Sequence, residues 1–101
     1  MSPATDIPAS RRVVITGLGA VTPCGLTAPA SWNAVMHGRS GTGPLTRFDA
    51  TGLACQVAGQ VDGVDGEARF GRRSVRRLGL FMQYALAAGD EAMADAGCVR
   101  A

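Results

Sequence analysis

The rhythm of apolar and polar positions along this chain of 101 residues changes several times, and each change predicts an element. Arg12-Val13-Val14-Ile15-Thr16 is a β-branched run closed by Gly17, which predicts a strand. Three consecutive apolar residues suit a strand covered on both faces, as in a parallel sheet. Thr27 can cap a helix whose first turn tolerates Pro29, with Trp32, Val35 and Met36 as its buried stripe and Gly38 as its stop. Residues 39–49 hold Ser, Gly, Thr and Pro44 and read as an irregular loop, with Phe48 plugging the core and Asp49 turning the backbone. A second strand is predicted over residues 55–61, and Asp62-Gly63-Val64-Asp65-Gly66 reads as a turn.

The longest pattern comes last. Leu78, Phe81, Met82, Ala85, Leu86, Ala92, Met93 and Ala96 recur at helical steps, and Gly97 is a natural C′ residue. A helix over residues 74–96 would be about 35 Å long. Its centre, Phe81-Met82-Gln83-Tyr84-Ala85-Leu86-Ala87-Ala88-Gly89, carries no charge and therefore calls for cover on all sides. The order strand, loop, helix, loop, strand, turn, long helix describes an α/β unit.

Charge alters this picture at both ends of the long helix. Arg72, Arg73, Arg76 and Arg77 crowd its positive end, while Asp90, Glu91 and Asp95 lie toward its negative end. Each such placement forgoes or costs about 0.3–1 kcal/mol. A rule broken so consistently suggests a functional site more than folding logic. At about 100° per residue the four arginines share one outer face, opposite Val75, Leu78, Phe81 and Met82. A solvated face would carry mixed charge; this run has one sign, repels itself and suits an anionic or acidic-protein contact. Nucleic acid fits less well, because no aromatic residues are interleaved for stacking and the net charge is only +2.

Other chemistries find little support. Gly17-Leu18-Gly19 after a strand opens like a dinucleotide-binding turn, but Thr22 replaces the third small residue and Pro23 with Gly25 blocks an immediate helix. The glycines then serve close backbone packing beside neighbouring elements. Cys24, Cys55 and Cys98 are an odd, widely spaced set without a CxxC pair, and His37 is the single histidine, so no metal site is expected. The thiols read as small buried residues in a reducing cytosol, and none sits where a helix N-terminus would activate it. No cofactor and no catalytic residue are expected within the chain. Residues 1–10 read as a flexible leader, and no apolar run approaches membrane-spanning length. With 47% hydrophobic residues, few aromatics and 101 residues in all, there is one small domain with more apolar surface than it can bury alone.

Arg11-Arg12-Val13-Val14-Ile15-Thr16-Gly17-Leu18-Gly19, followed by Val21-Thr22-Pro23 and Gly25, resembles the opening of the β-ketoacyl-acyl-carrier-protein synthases, most of all the elongating synthase II. The resemblance continues through Trp32, Gly38-Arg39-Ser40-Gly41, Arg47-Phe48-Asp49, Ala58-Gly59, Arg76-Arg77-Leu78, Phe81-Met82-Gln83-Tyr84-Ala85 and Asp95-Ala96-Gly97. It implies the N-terminal part of a thiolase-like layered αβα sandwich, with residues 11–101 an incomplete domain. It also implies decarboxylative condensation of malonyl-carrier protein with an acyl group on a cysteine, assisted by two histidines, in a cytoplasmic homodimer. No cysteine or histidine of this chain matches those three residues. Arg72, Arg73, Arg76 and Arg77 match positions that help dock the acidic acyl carrier protein. Many relatives have Asp where this chain has Gly79. Ketosynthases of aromatic polyketide pathways share much of this opening, and a free-standing binding module using the arginine face is the alternative of another class.

Overall fold

A computed structural model describes residues 8–98, so the reading of residues 1–7 as part of a leader lies outside the described residues. After a short 3-10 turn at Ala9–Arg11, the elements are α1 (Ala28–Met36), β1 (Thr42–Pro44), β2 (Val57–Gly59), α2 (Gly66–Phe70), α3 (Arg72–Val75) and α4 (Leu80–Asp95). β1 and β2 pair antiparallel, with Thr42 opposite Gly59 and Pro44 opposite Val57.

Several expectations need correction. Residues 12–16 form no paired strand, and Val13 is 96% exposed. A strand needs a ladder partner, and the one sheet among the described residues is the β1–β2 pair. The stripe assigned to α1 is also inverted. Thr27 does cap the helix, its Oγ1 accepting from the Ala30 N–H at 3.1 Å, and Gly38 does stop it at φ +66°. Yet Ser31 and Ala34 are buried while Trp32 is 66% exposed, with Val35 and Met36 exposed as well. The reason is the small-residue turn at Thr22–Gly25. Ser31 Oγ lies 2.7 Å from Thr22 Oγ1 and donates to the Gly25 carbonyl at 3.2 Å, and a Cβ on Gly25 would stand 2.7 Å from the Ser31 nitrogen.

The third correction concerns the long helix. It does not run unbroken over residues 74–96: Arg76 and Arg77 form a turn and Gly79 is extended (φ −65°, ψ 159°) as the N-cap of α4. Glycine is the residue that yields most readily at such a point, because its helical state costs about 1 kcal/mol relative to alanine. Nor is the charge-free centre covered on all sides. Gln83 and Ala87 are buried, whereas Phe81 is 71% exposed. Ala34, Ala50 and Ala87 are the buried apolar residues among those described, so side chains that pattern as core are left on the surface.

The other expectations divide. Residues 39–49 are not loop throughout: Thr42–Pro44 becomes β1 because it finds a ladder partner in Val57–Gly59. Phe48 is exposed and plugs nothing, but Asp49 turns the backbone by accepting from the Thr51 N–H and hydroxyl at 3.0 and 2.6 Å, bonds that hold its pKa below the ordinary carboxylate value. The second strand is shorter than predicted, and its exit is tied down by Gln60 and Arg47. Gln60 Oε1 accepts from the Thr46 and Arg47 N–H groups at 3.1 and 3.2 Å. The Arg47 guanidinium donates to Tyr84 Oη at 2.9 Å and to the Val61 carbonyl, joining the β2 exit to α4. Cys24 is half-buried, and Cys55 and Cys98 are exposed free thiols rather than buried ones.

Candidate functional site

The predicted arginine face is assembled from two short helices and a turn. Asp65 caps α2, its Oδ1 accepting from the Ala68 N–H at 3.1 Å. Gly71, at φ +82°, separates α2 from α3 in a conformation that L side chains rarely adopt. Arg72 and Arg73 then lie on α3, and Arg76 and Arg77 in the turn that follows it. The four therefore do not share one face of one helix, and they do not sit on the first turn of α4. All four are exposed. Arg72 Nε approaches Glu67 Oε1 at 3.8 Å, with side-chain exposures of 77% and 59%. Arg73, Arg76 and Arg77 make no salt bridge among the described residues.

At the other end of α4 the acidic residues have partners that residue spacing did not reveal. Glu91 Oε1 accepts from the Ala20 N–H at 2.9 Å, and its two oxygens accept from the Ala28 N–H at 3.0 Å each. Asp95 Oδ2 accepts from the Leu18 N–H at 3.0 Å. Ala28 is the first residue of α1, so Glu91 lies at the positive end of α1 although it is near the negative end of α4. The Gly17–Ala20 segment is thereby held against α4. Its close approach needs glycine: a Cβ on Gly17 would collide with the Ala92 carbonyl, and one on Gly19 with the Ala88 carbonyl. The glycine stretch thus serves close packing, as its sequence suggests. Ala88 and Ala92 of α4 and its C-cap Ala96, spaced one turn apart, were the available signal, since small residues at that step beside a GxG mark backbone contact.

These carboxylates border an open hollow of about 470 Å³ lined by Leu18, Ala28, Pro29, Trp32, Glu91, Ala94 and Asp95. Both Glu91 oxygens and Asp95 Oδ2 are engaged by backbone N–H groups, which gives these carboxylates a packing role here. His37 Nδ1 lies 2.8 Å from the Asn33 carbonyl at the end of α1. Among the described residues no three of His, Cys, Asp and Glu cluster as metal ligands would, and no helix is long and apolar enough to cross a membrane.

A family model described as the N-terminal domain of β-ketoacyl synthases matches residues 10–101. The chain belongs to the β-ketoacyl synthase family. A 3-oxoacyl-[acyl-carrier-protein] synthase 2 of Synechocystis sp. is 43% identical over 89 residues, covering 88% of this chain and 21% of that protein. A granaticin polyketide putative β-ketoacyl synthase 2 of Streptomyces violaceoruber is 38% identical over 90 residues, covering 89% of this chain and 22% of that protein. Among solved structures, the ishigamide ketosynthase/chain length factor superposes with a TM-score of 0.78 at 34% identity, over 88% of this chain and 22% of its own. This ketosynthase segment is accordingly an α/β piece of the thiolase-like fold, and it spans about a fifth of the length of the curated relatives it matches.

Proposed function

We propose that this chain supplies the N-terminal part of an elongating β-ketoacyl-acyl-carrier-protein synthase of fatty acid synthesis, a cytoplasmic homodimeric acyltransferase. In that reading residues 1–10 are a leader and residues 11–101 an incomplete ketosynthase domain. The observation that carries it is the 43% identity to a relative named as the synthase 2 type. The reaction joins malonyl-carrier protein, as it loses carbon dioxide, to an acyl thioester on a cysteine. The acyl-accepting cysteine and two histidines of that chemistry have no counterpart in this chain. Its own contribution is core structure and part of the face on which acyl carrier protein docks. Arg72, Arg73, Arg76 and Arg77 would form that part, and their exposure supports the role. The exposed apolar residues argue against a free-standing module, which would have to cover them itself.

The polyketide relatives support a second reading, a ketosynthase of an aromatic polyketide pathway. Product analysis separates the two: the first yields a single elongation per cycle, the second a chain of retained ketones. Docking is tested by reversing Arg76 and Arg77 to Glu in the full gene product carrying residues 1–101. Charges about 8–10 Å from their partners in water should make carrier-protein binding about tenfold weaker at low salt. Unchanged affinity there would remove the docking role.

A further inference from the structure

Five arginines occur between Arg69 and Arg77, and a carboxylate of the same chain approaches one of them. Glu67 stands in the first turn of α2, and the bend at Gly71 folds α2 back so that its carboxylate meets Arg72 at 3.8 Å. Arg73, Arg76 and Arg77 have no such ion pair. We propose that Glu67 is an internal competitor, a carboxylate that occupies Arg72 and must be displaced when an acidic protein surface binds the arginine cluster. The proposal rests on the docking role given above and deepens it: Arg73, Arg76 and Arg77 receive the partner first, and Arg72 joins only as Glu67 lets go.

Several observations converge on this. The pair is long and largely exposed, so water screens it and an incoming carboxylate can exchange with Glu67 at little cost. Glu67 is not required to cap its helix, because Asp65 supplies the cap and the Gly71 N–H bonds to the Glu67 backbone carbonyl at 2.9 Å. The cluster holds five cations against one carboxylate, and this charge complementarity commits the occupant to an acidic protein.

The test measures binding of purified acyl carrier protein to the full gene product by competition at low and physiological salt. Freeing Arg72 from an exposed ion pair such as the one with Glu67 is a weak effect, a factor of about two to five. Glu67→Gln should therefore tighten binding about twofold at low salt, Glu67→Ala should do the same, and the gain should vanish when Arg72→Gln is also present. No gain from either Glu67 variant, or an equal gain without Arg72, overturns the competition while leaving docking intact. If Arg76→Glu with Arg77→Glu leaves binding unchanged, the docking reading itself falls. A larger gain for a single-stranded DNA oligonucleotide than for carrier protein overturns the acidic-protein assignment.

Discussion

Replacing Glu91 by Ala separates two accounts of the same residue, because they predict opposite signs. Considered on α4 alone, a carboxylate near the negative end of the helix is unfavourable, and its removal should stabilise by about 0.3–1 kcal/mol. The structure predicts the reverse. Glu91 satisfies the Ala20 and Ala28 N–H groups at 2.9–3.0 Å, and Glu91→Ala leaves both without their acceptor. A hydrogen bond to a charged group contributes about 1.5–3 kcal/mol. The site is only half-buried, so water partly replaces the lost acceptor and the lower end of that range applies. The favourable position at the start of α1 and the unfavourable one on α4 are of similar size and nearly offset each other. The net loss is then about 2–3 kcal/mol, and about half of that for Glu91→Gln, which keeps one carbonyl acceptor. Denaturant unfolding of the full gene product gives the free energy, and amide hydrogen exchange at Ala20 and Ala28 locates it. A stabilised Glu91→Ala protein, or unchanged exchange at both amides, would refute the reasoning.

Two further outcomes follow, one from the same packing and one from the proposed function, in which the acyl-accepting cysteine and the histidines lie outside residues 1–101. Gly19→Ala drives a methyl group into the Ala88 carbonyl and within 2.8 Å of the Ala92 nitrogen, so it should destabilise by about 1–3 kcal/mol or more, read as a lower denaturant midpoint at constant slope. Residues 1–101 alone should form no ketoacyl product from malonyl- and acyl-carrier protein and should bind a hydrophobic dye; detectable product would refute the assignment of the chemistry to residues outside this chain.

Local signals were legible in the sequence where the physics is local. Thr27 as cap, Gly38 as stop and Asp49 as a turn residue each depend on a few neighbours, and each behaves as its type predicts. The hydrophobic stripes were not legible, because a stripe names a face that wants cover without naming the cover. Trp32, Val35, Met36 and Phe81 are exposed while Ser31, Ala34, Gln83 and Ala87 are buried, since small residues allow the close approaches that this segment makes within itself. The strand at residues 12–16 fails for the same reason: β-branched residues propose a strand, but only a neighbouring strand completes one. At the candidate site, the concentration of arginine was legible and its arrangement was not. Gly79 marks the break in the rod, and one helix extended through it puts the guanidiniums at the wrong angles.

The two sets of charges that oppose the dipole of the single predicted helix prove to be unlike each other. A carboxylate responds to every helix end near it, and Glu91 lies against the start of α1 as well as near the end of α4. Its apparent violation disappears once both helices are counted, and with it the reason for seeking a function there. The arginines do not resolve that way. With α4 beginning at Leu80 they no longer face its N-terminus, yet Arg73, Arg76 and Arg77 gain no carboxylate from the described residues, and their mutual repulsion stays uncompensated. Folding logic accounts for Glu91 and Asp95 and leaves the basic residues over. That remainder, more than the original dipole conflict, is the physical support for the proposed acidic macromolecule at Arg73, Arg76 and Arg77, with Arg72 joining them as Glu67 lets go.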